Sequence, residues 1–169
     1  MLKKEKLTLL FIWSTIIVIH FIVSLYITEA ITAPLLEKSS INVGGNTVIL
    51  MTIILFILAS LIDVVIVSLL IHISSVMLNI RISMMKSFFI ASLFNLILNV
   101  NQVIDTIVLS NANNLTAENF STNIFFNPFF YLGLVVVSVW LRYIEKKPNV
   151  QIIVIMAVVC VYKSVTVFI

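Results

Sequence analysis

Long apolar stretches separated by short polar segments dominate the pattern of this chain. Five stretches are long enough, or nearly so, to cross a bilayer as helices, because about 20 mostly apolar residues span its hydrocarbon core. The pattern therefore predicts an all-α polytopic membrane protein whose 169 residues form a single bundle of five transmembrane helices. The predicted spans cover about residues 7–28, 47–80, 87–109, 129–143 and 149–169.

The second stretch is too long for one upright span and too short for two spans with a turn. It contains neither Gly nor Pro to make a hairpin. We therefore expect one long helix that is tilted, or that projects beyond the bilayer on the cytoplasmic side. Asn127 and Pro128 predict an N-cap and a first-turn proline at the start of the fourth helix, and Pro148 predicts the same opening for the fifth.

Composition supports the membrane assignment. Of the residues, 62% are hydrophobic and 10% are charged, whereas a soluble domain has about 45–50% and about 25%. The net charge of +3 does not indicate nucleic-acid binding, because the basic residues lie at span ends and form no stripe along a polar surface. The abundance of Ile, Asn and Lys favours a bacterial protein, and hence the plasma membrane.

The distribution of Lys and Arg predicts the orientation, since these residues are enriched in cytoplasmic loops. With five spans, Lys38 is the one basic loop residue on the opposite side. The N-terminus is then cytoplasmic and the C-terminus lies outside. The basic residues on the cytoplasmic side are Lys3, Lys4, Lys6, Arg81, Lys86, Arg142, Lys146 and Lys147.

Apart from Arg142 at the cytoplasmic end of the fourth span, three charged residues fall inside the predicted spans, where a charge is costly and is a default sign of function. Asp105 and Lys163 lie about 27 and about 22 Å from the cytoplasmic surface at 1.5 Å per residue. We therefore expect these two side chains to be able to pair. Asp63 is expected in the inner half of the membrane, where Arg142 approaches it. Such charges either lock helix packing or form a proton or ion pathway.

The third span is polar for a membrane helix. Asn95, Asn99 and Gln102 share one face because they stand at i, i+4 and i+7, and Asp105 lies on an adjacent line with Asn101. Since lipid offers no hydrogen-bond partners, this face is predicted to point into the bundle. It serves either interhelical hydrogen bonding or a polar cavity for a ligand.

The sequence contains no recognisable catalytic signature. His20 and His72 are on different helices without carboxylates at metal-ligand spacing. Cys160 lies inside the last apolar stretch, where a thiol is usually inert packing. We therefore predict that the protein is not an enzyme, with no catalytic, cofactor-binding or metal-binding residue.

The pattern from the second span onward resembles the Ypt/Rab-interacting-protein (Yip) family, in particular its bacterial branch. The resemblance covers about residues 65–165. It is carried by a short basic turn with Ser-Phe at 82–88 (ISMMKSF), an aromatic segment at 123–129 (NIFFNPF) before the span at 131–140, and the basic turn at 146–148. It implies a non-enzymatic membrane protein that acts through partners. Some bacterial members associate with transporters that protect against antimicrobial peptides.

These observations together predict a protein that acts by helix–helix contact with a membrane partner, such as a transporter or a toxin, or as a homo-oligomer in the lipid bilayer. Protection against antimicrobial peptides or toxins is the expected context. The alternative is a small transporter or channel component that uses the polar face inside the membrane. The candidate residues for either role are Asp63, Asn95, Asn99, Gln102, Asp105 and Lys163.

Overall fold

The computed structural model describes residues 3–27, 45–80, 82–111 and 127–167. Those residues form five helices and no strand, which confirms the all-helical prediction. The fourth helix continues directly into a π-helical segment at Trp140–Ile144. The helices are α1 (Lys3–Ile27), α2 (Gly45–Met77), α3 (Met84–Asn111), α4 (Pro128–Val139) and α5 (Asn149–Val167). Lys38, Arg81 and the 123–126 part of the family resemblance lie outside the described residues.

Three of the helices are long and apolar enough to cross a membrane. The qualifying segments are Glu5–Ile27, Asn46–Met77 and Met84–Val108, whereas Pro128–Ile144 and Asn149–Val165 are shorter apolar helices. The second stretch forms one helix of 33 residues, as predicted from its lack of Gly and Pro.

Helix α3 lies at the centre of the bundle. It packs against α1, α2 and α4, while α5 packs against α2 and, more sparsely, α4. Aromatic rings join α3 to α4, since Phe94 meets Phe130 edge to face with 6.0 Å between ring centroids. The main core contains buried aliphatic residues from α2 to α5, among them Val64, Val67, Ile71, Ile90, Val137, Leu141, Ile155 and Val159.

Small residues allow the helices to approach closely. A Cβ added to Gly133 on α4 would lie 2.8 Å from both Cδ2 and Cε2 of Phe94. Buried serines, including Ser68 on α2 and Ser92 on α3, take up little space between helices. Packing through small residues is typical of helices in membranes, where no hydrophobic force drives them together.

The outer surface of the bundle is apolar on every helix. Exposed side chains include Phe11 on α1, Leu55 on α2, Val108 on α3, Val135 on α4 and Ile153 on α5. Contiguous apolar surface of this extent is rare on soluble proteins and marks contact with a membrane or with other proteins.

Two short turns lie side by side at one end of the bundle. In the turn after α2, Asn79 takes the left-handed conformation (φ 55°), and the Ile80 N–H donates to the Ser75 carbonyl, which is a Schellman ending. The turn after the π-helical segment contains Lys146 at φ 53°.

Polar contacts join these two turns. Lys86 donates to both carboxylate oxygens of Glu145 at 2.8 Å, and Gln151 donates to the Leu78 carbonyl at 3.2 Å. We call this part of the molecule, residues 78–86 and 142–151, the basic end. The end of α2 is therefore level with the start of α5, and whether α2 is tilted in a bilayer or projects beyond it stays a prediction.

The proline predictions are confirmed at one helix and corrected at the other. Asn127 caps α4 by accepting a hydrogen bond from the Phe129 N–H at 2.8 Å, with Pro128 in the first turn. Pro148 instead precedes α5, and its carbonyl accepts the first helical bond from Ile152. It therefore occupies the capping position, where it offers no side-chain acceptor.

Candidate functional site

Polar side chains from several helices line a cleft of about 390 Å³ inside the bundle. Its residues come from α1, α2, α3 and α5, with Asn127 at the start of α4. They include all six candidates singled out by the sequence, which the structure brings together around one space. The polar lining residues are His20, Ser60, Asp63, Asn95, Asn99, Asn101, Gln102, Asp105, Asn127 and Lys163.

An ion pair between α2 and α5 lies at one end of this cleft. The Lys163 ammonium group donates to both carboxylate oxygens of Asp63 at 2.6 Å. Tyr162 donates its hydroxyl to the same carboxylate at 3.2 Å, and Asn95 donates its amide at 3.1 Å. Four donor contacts on one carboxylate, from α3 and α5, tie three helices together.

This pairing corrects two expectations. The cationic partner of Asp63 is Lys163, whereas the helix depths had made a pair of Lys163 with Asp105 the more plausible one. Arg142 does not approach Asp63, because it is exposed at the basic end and donates to the Lys147 carbonyl at 3.3 Å.

The physical reason for both corrections is the position of α2 along the bundle axis. Since α2 ends level with the start of α5, Asp63 and Lys163 each lie about four helical turns from the basic end. Asp105 lies about six turns along α3. An α2 that projected beyond the bilayer on the cytoplasmic side would place Asp63 closer to the cytoplasmic surface than Lys163.

The amides of α3 continue the hydrogen-bond network away from the ion pair. Asn99 donates to the side-chain oxygen of Asn95 at 2.6 Å, and Asn101 donates to the Asp105 carboxylate. Asn95, Asn99 and Asn101 are each 7% exposed. The polar face of α3 therefore points into the bundle, which places both predicted lines of polar residues on the same cleft.

Sequence reasoning missed His20, Ser60 and Tyr162 as members of the site. His20 on α1 lies 2.6 Å, Nε2 to Oγ, from Ser60 on α2, and it stacks on Phe56 with 5.7 Å between ring centroids. Its buried Nδ1 has no hydrogen-bond partner among the described residues. Tyr162 was overlooked beside Lys163. A histidine inside a predicted span is a signal that could have identified His20. Nothing in the pattern indicated Ser60 or Tyr162.

The charges of the cleft do not balance. Asp63 and Lys163 neutralise each other, and Asp105 interacts with the neutral Asn101. The structure shows no cation bonded to Asp105 in the described ranges. The lining therefore carries one surplus carboxylate surrounded by amides, which suits a positively charged or strongly hydrogen-bonding ligand. No group of three or more His, Cys, Asp or Glu residues that could hold a metal ion occurs in that part of the chain.

Comparisons with protein-family models, curated proteins and solved structures gave no match for this chain.

Proposed function

We propose that this is an integral membrane protein in which all five helices cross the bilayer. The apolar outer surface and the three long apolar helices support this proposal. The shorter Pro128–Ile144 segment extends about 25 Å at 1.5 Å per residue, close to the thickness of the hydrocarbon core. The distribution of basic residues supports an orientation with the N-terminus and the basic end in the cytoplasm and the C-terminus on the other side.

Within the membrane, the polar cleft binds a small cationic solute, and the protein acts as a small transporter or channel component. The observation that carries this function is the surplus Asp105 carboxylate among amides in a cleft of about 390 Å³. This volume is within the range of small-molecule sites, about 300–1,000 Å³. Charged residues inside membrane proteins characteristically mark solute or ion pathways.

The two acidic residues of the cleft have different roles in this proposal. Asp63 holds the bundle together, because its carboxylate is saturated by donors from α3 and α5. Asp105 receives a single side-chain donor, from Asn101, in the described structure. Its remaining acceptor positions are available to a solute, since a carboxylate offers about four.

Binding of three simple cations to the purified protein tests this function. Sodium, methylammonium and choline are titrated as chloride salts in detergent by calorimetry, and the best binder is then followed into proteoliposomes as a radiolabelled flux. We expect saturable binding of at least one of them, and a loss of about tenfold or more in Asp105→Asn. Replacing a charged hydrogen-bond acceptor costs about 1.5–3 kcal/mol, which corresponds to that ratio.

Glu5→Gln is the matched control, because it removes one carboxylate from α1 at the opposite end of the bundle. It should bind as the unchanged protein does. The proposal fails if none of the three cations binds saturably, or if Asp105→Asn binds them equally well.

A second candidate function is contact with a membrane partner, as the family resemblance implies. The observation in its favour is an exposed apolar strip at the end of α2, formed by Ile73, Val76 and Met77, the last of which is 78% exposed. This strip lies beside the basic end, at the level where charged groups dominate. A partner helix would cover it.

Affinity purification in mild detergent from the native membrane tests this second function. A stoichiometric membrane protein should co-purify with the unchanged chain and be lost from Met77→Asn. Val161→Asn, which changes an exposed apolar residue on α5, should retain it. A preparation without a stoichiometric partner argues against this function.

A further inference from the structure

A groove between α4 and α5 opens on the outer surface of the bundle, at the basic end. Its volume is about 340 Å³, and Ser138, Val139, Arg142, Asn149 and Ile153 are among its lining residues. It is separate from the polar cleft and shares none of its lining residues. The sparse packing between α4 and α5 leaves this space unfilled.

Apart from Ser138, the lining of the groove changes from charged and polar to apolar with depth. Arg142 and Asn149 lie beside the turn that joins the two helices, at the level of the membrane surface in the proposed orientation. Val139 and Ile153 lie about one helical turn deeper, where the hydrocarbon core begins. A phospholipid has the same order, with a charged headgroup at the membrane surface and apolar acyl chains in the hydrocarbon core.

The charge at this level is positive. Glu145 is neutralised by Lys86, with 2.8 Å between their charged groups. Arg142 is exposed, and its one bond in the described structure, to the Lys147 carbonyl, uses one of five guanidinium donors. Lys146, held by its left-handed backbone at the turn, is also exposed. The surplus of positive charge complements the phosphate of a lipid whose headgroup has a net negative charge.

The start of α5 adds backbone donors to the same place. Pro148 has no side-chain acceptor, so it cannot satisfy the first N–H groups of the helix. A helix N-terminus attracts anions through these groups and its dipole. Asn149, the first residue of the helix, lines the groove, so Arg142 and the helix start both border the same space.

We propose that this groove holds one phospholipid with an anionic headgroup, its phosphate bound by Arg142 and the start of α5 and one acyl chain lying between Val139 and Ile153. A zwitterionic lipid fits less well, because its terminal cation would lie near Arg142 and Lys146. Basic pockets between membrane helices at the cytoplasmic surface are known to select anionic lipids in this way. This inference rests on the proposed membrane insertion but not on the solute of the polar cleft.

Native mass spectrometry of the purified protein tests the inference. The protein is incubated in detergent with equimolar phosphatidylglycerol and phosphatidylcholine of the same acyl chains. We expect one retained phosphatidylglycerol, and about a tenfold lower affinity in Arg142→Gln, since a charge-assisted bond to phosphate is lost. Lys6→Gln is the matched control, because it removes the same charge from the same side of the membrane at a site away from the groove.

A second pair of variants tests the groove without changing charge. Ile153→Trp fills the space and should abolish retention, whereas Val161→Trp, on the lipid-facing surface of the same helix, should preserve it. Both positions are about two thirds exposed, 66% and 65%, so neither substitution disturbs the core. Thermal unfolding verifies that all variants remain folded.

Three results would overturn the inference: equal retention of the two lipids, equal losses in Arg142→Gln and Lys6→Gln, or retention in Ile153→Trp. The solute proposal is decided separately, because Asp105→Asn should bind phosphatidylglycerol normally. Failure of one proposal therefore leaves the other open to its own test.

Discussion

The ion pair between Asp63 and Lys163 is expected to be the strongest single link between helices. Lys163→Met removes the cation and leaves the carboxylate with the neutral donors Tyr162 and Asn95. Asp63→Asn leaves the ammonium group facing a neutral amide. The Lys163 side chain is 9% exposed and that of Asp63 is 21%, so each single change leaves a mostly buried charge without its counterion.

The expected magnitude follows from this burial. Removing one partner of a buried pair costs about 3–5 kcal/mol, because the remaining charge is uncompensated. Two neutral donors remain on the carboxylate, so we expect about 3 kcal/mol for Lys163→Met, at the lower end of that range. The double variant has no unpaired charge, so it should be less destabilised than the sum of the singles by about 2 kcal/mol.

A pair of double-mutant cycles that share Lys163→Met measures these values by reversible unfolding in mixed micelles. One cycle uses Asp63→Asn, and the other uses Asp105→Asn. The coupling with Asp63 should be the larger, and the coupling with Asp105 should stay below about 1 kcal/mol because these groups are farther apart. Additive effects in the Asp63 cycle, or a larger coupling with Asp105, would refute the reasoning.

Two further predictions concern packing and orientation. Gly133→Ala should lower the free energy of unfolding by about 1–3 kcal/mol, since the new methyl group overlaps the Phe94 ring. Thermal unfolding should show this loss, and adding Phe94→Leu should relieve it; an unchanged melting temperature in Gly133→Ala would contradict the contact. The orientation is tested with single cysteines in a Cys160→Ser background and a membrane-impermeant maleimide. Lys146→Cys should react only in inverted membrane vesicles and Asn46→Cys only in right-side-out vesicles, whereas the reverse pattern would show the opposite orientation.

Much of the fold could be predicted from the sequence, because every helix is strongly apolar and short polar segments separate the helices. The predicted 47–80 stretch and the observed α2 (Gly45–Met77) differ by two or three residues at each end. The inward direction of the α3 amides followed from helical spacing and from the cost of polar groups in lipid.

The partners within the site could not be predicted in the same way. Pairing of Asp63 with Lys163 depends on how far α2 slides along α5, and the apolar pattern is nearly uniform along α2. Contacts between helices, such as that of His20 on α1 with Ser60 on α2, depend on how each helix is rotated about its axis as well as on its level. The π-helical segment at Trp140–Ile144 and the groove beside it leave no signal in hydrophobic periodicity.

The polar cleft contains more polar groups than a structural lock requires. Asp63, Lys163 and Asn95 already connect α2, α3 and α5, yet Asn101, Gln102 and Asp105 extend the polar lining about three turns farther along α3. Polar groups at such depth reduce stability unless they are fully bonded, and proteins keep them mainly where function requires them. Replacement of Asp105 should therefore weaken solute binding without a loss of stability, whereas replacement of Asp63 should lower stability first. This opposite response distinguishes a binding residue from a packing residue within one cleft.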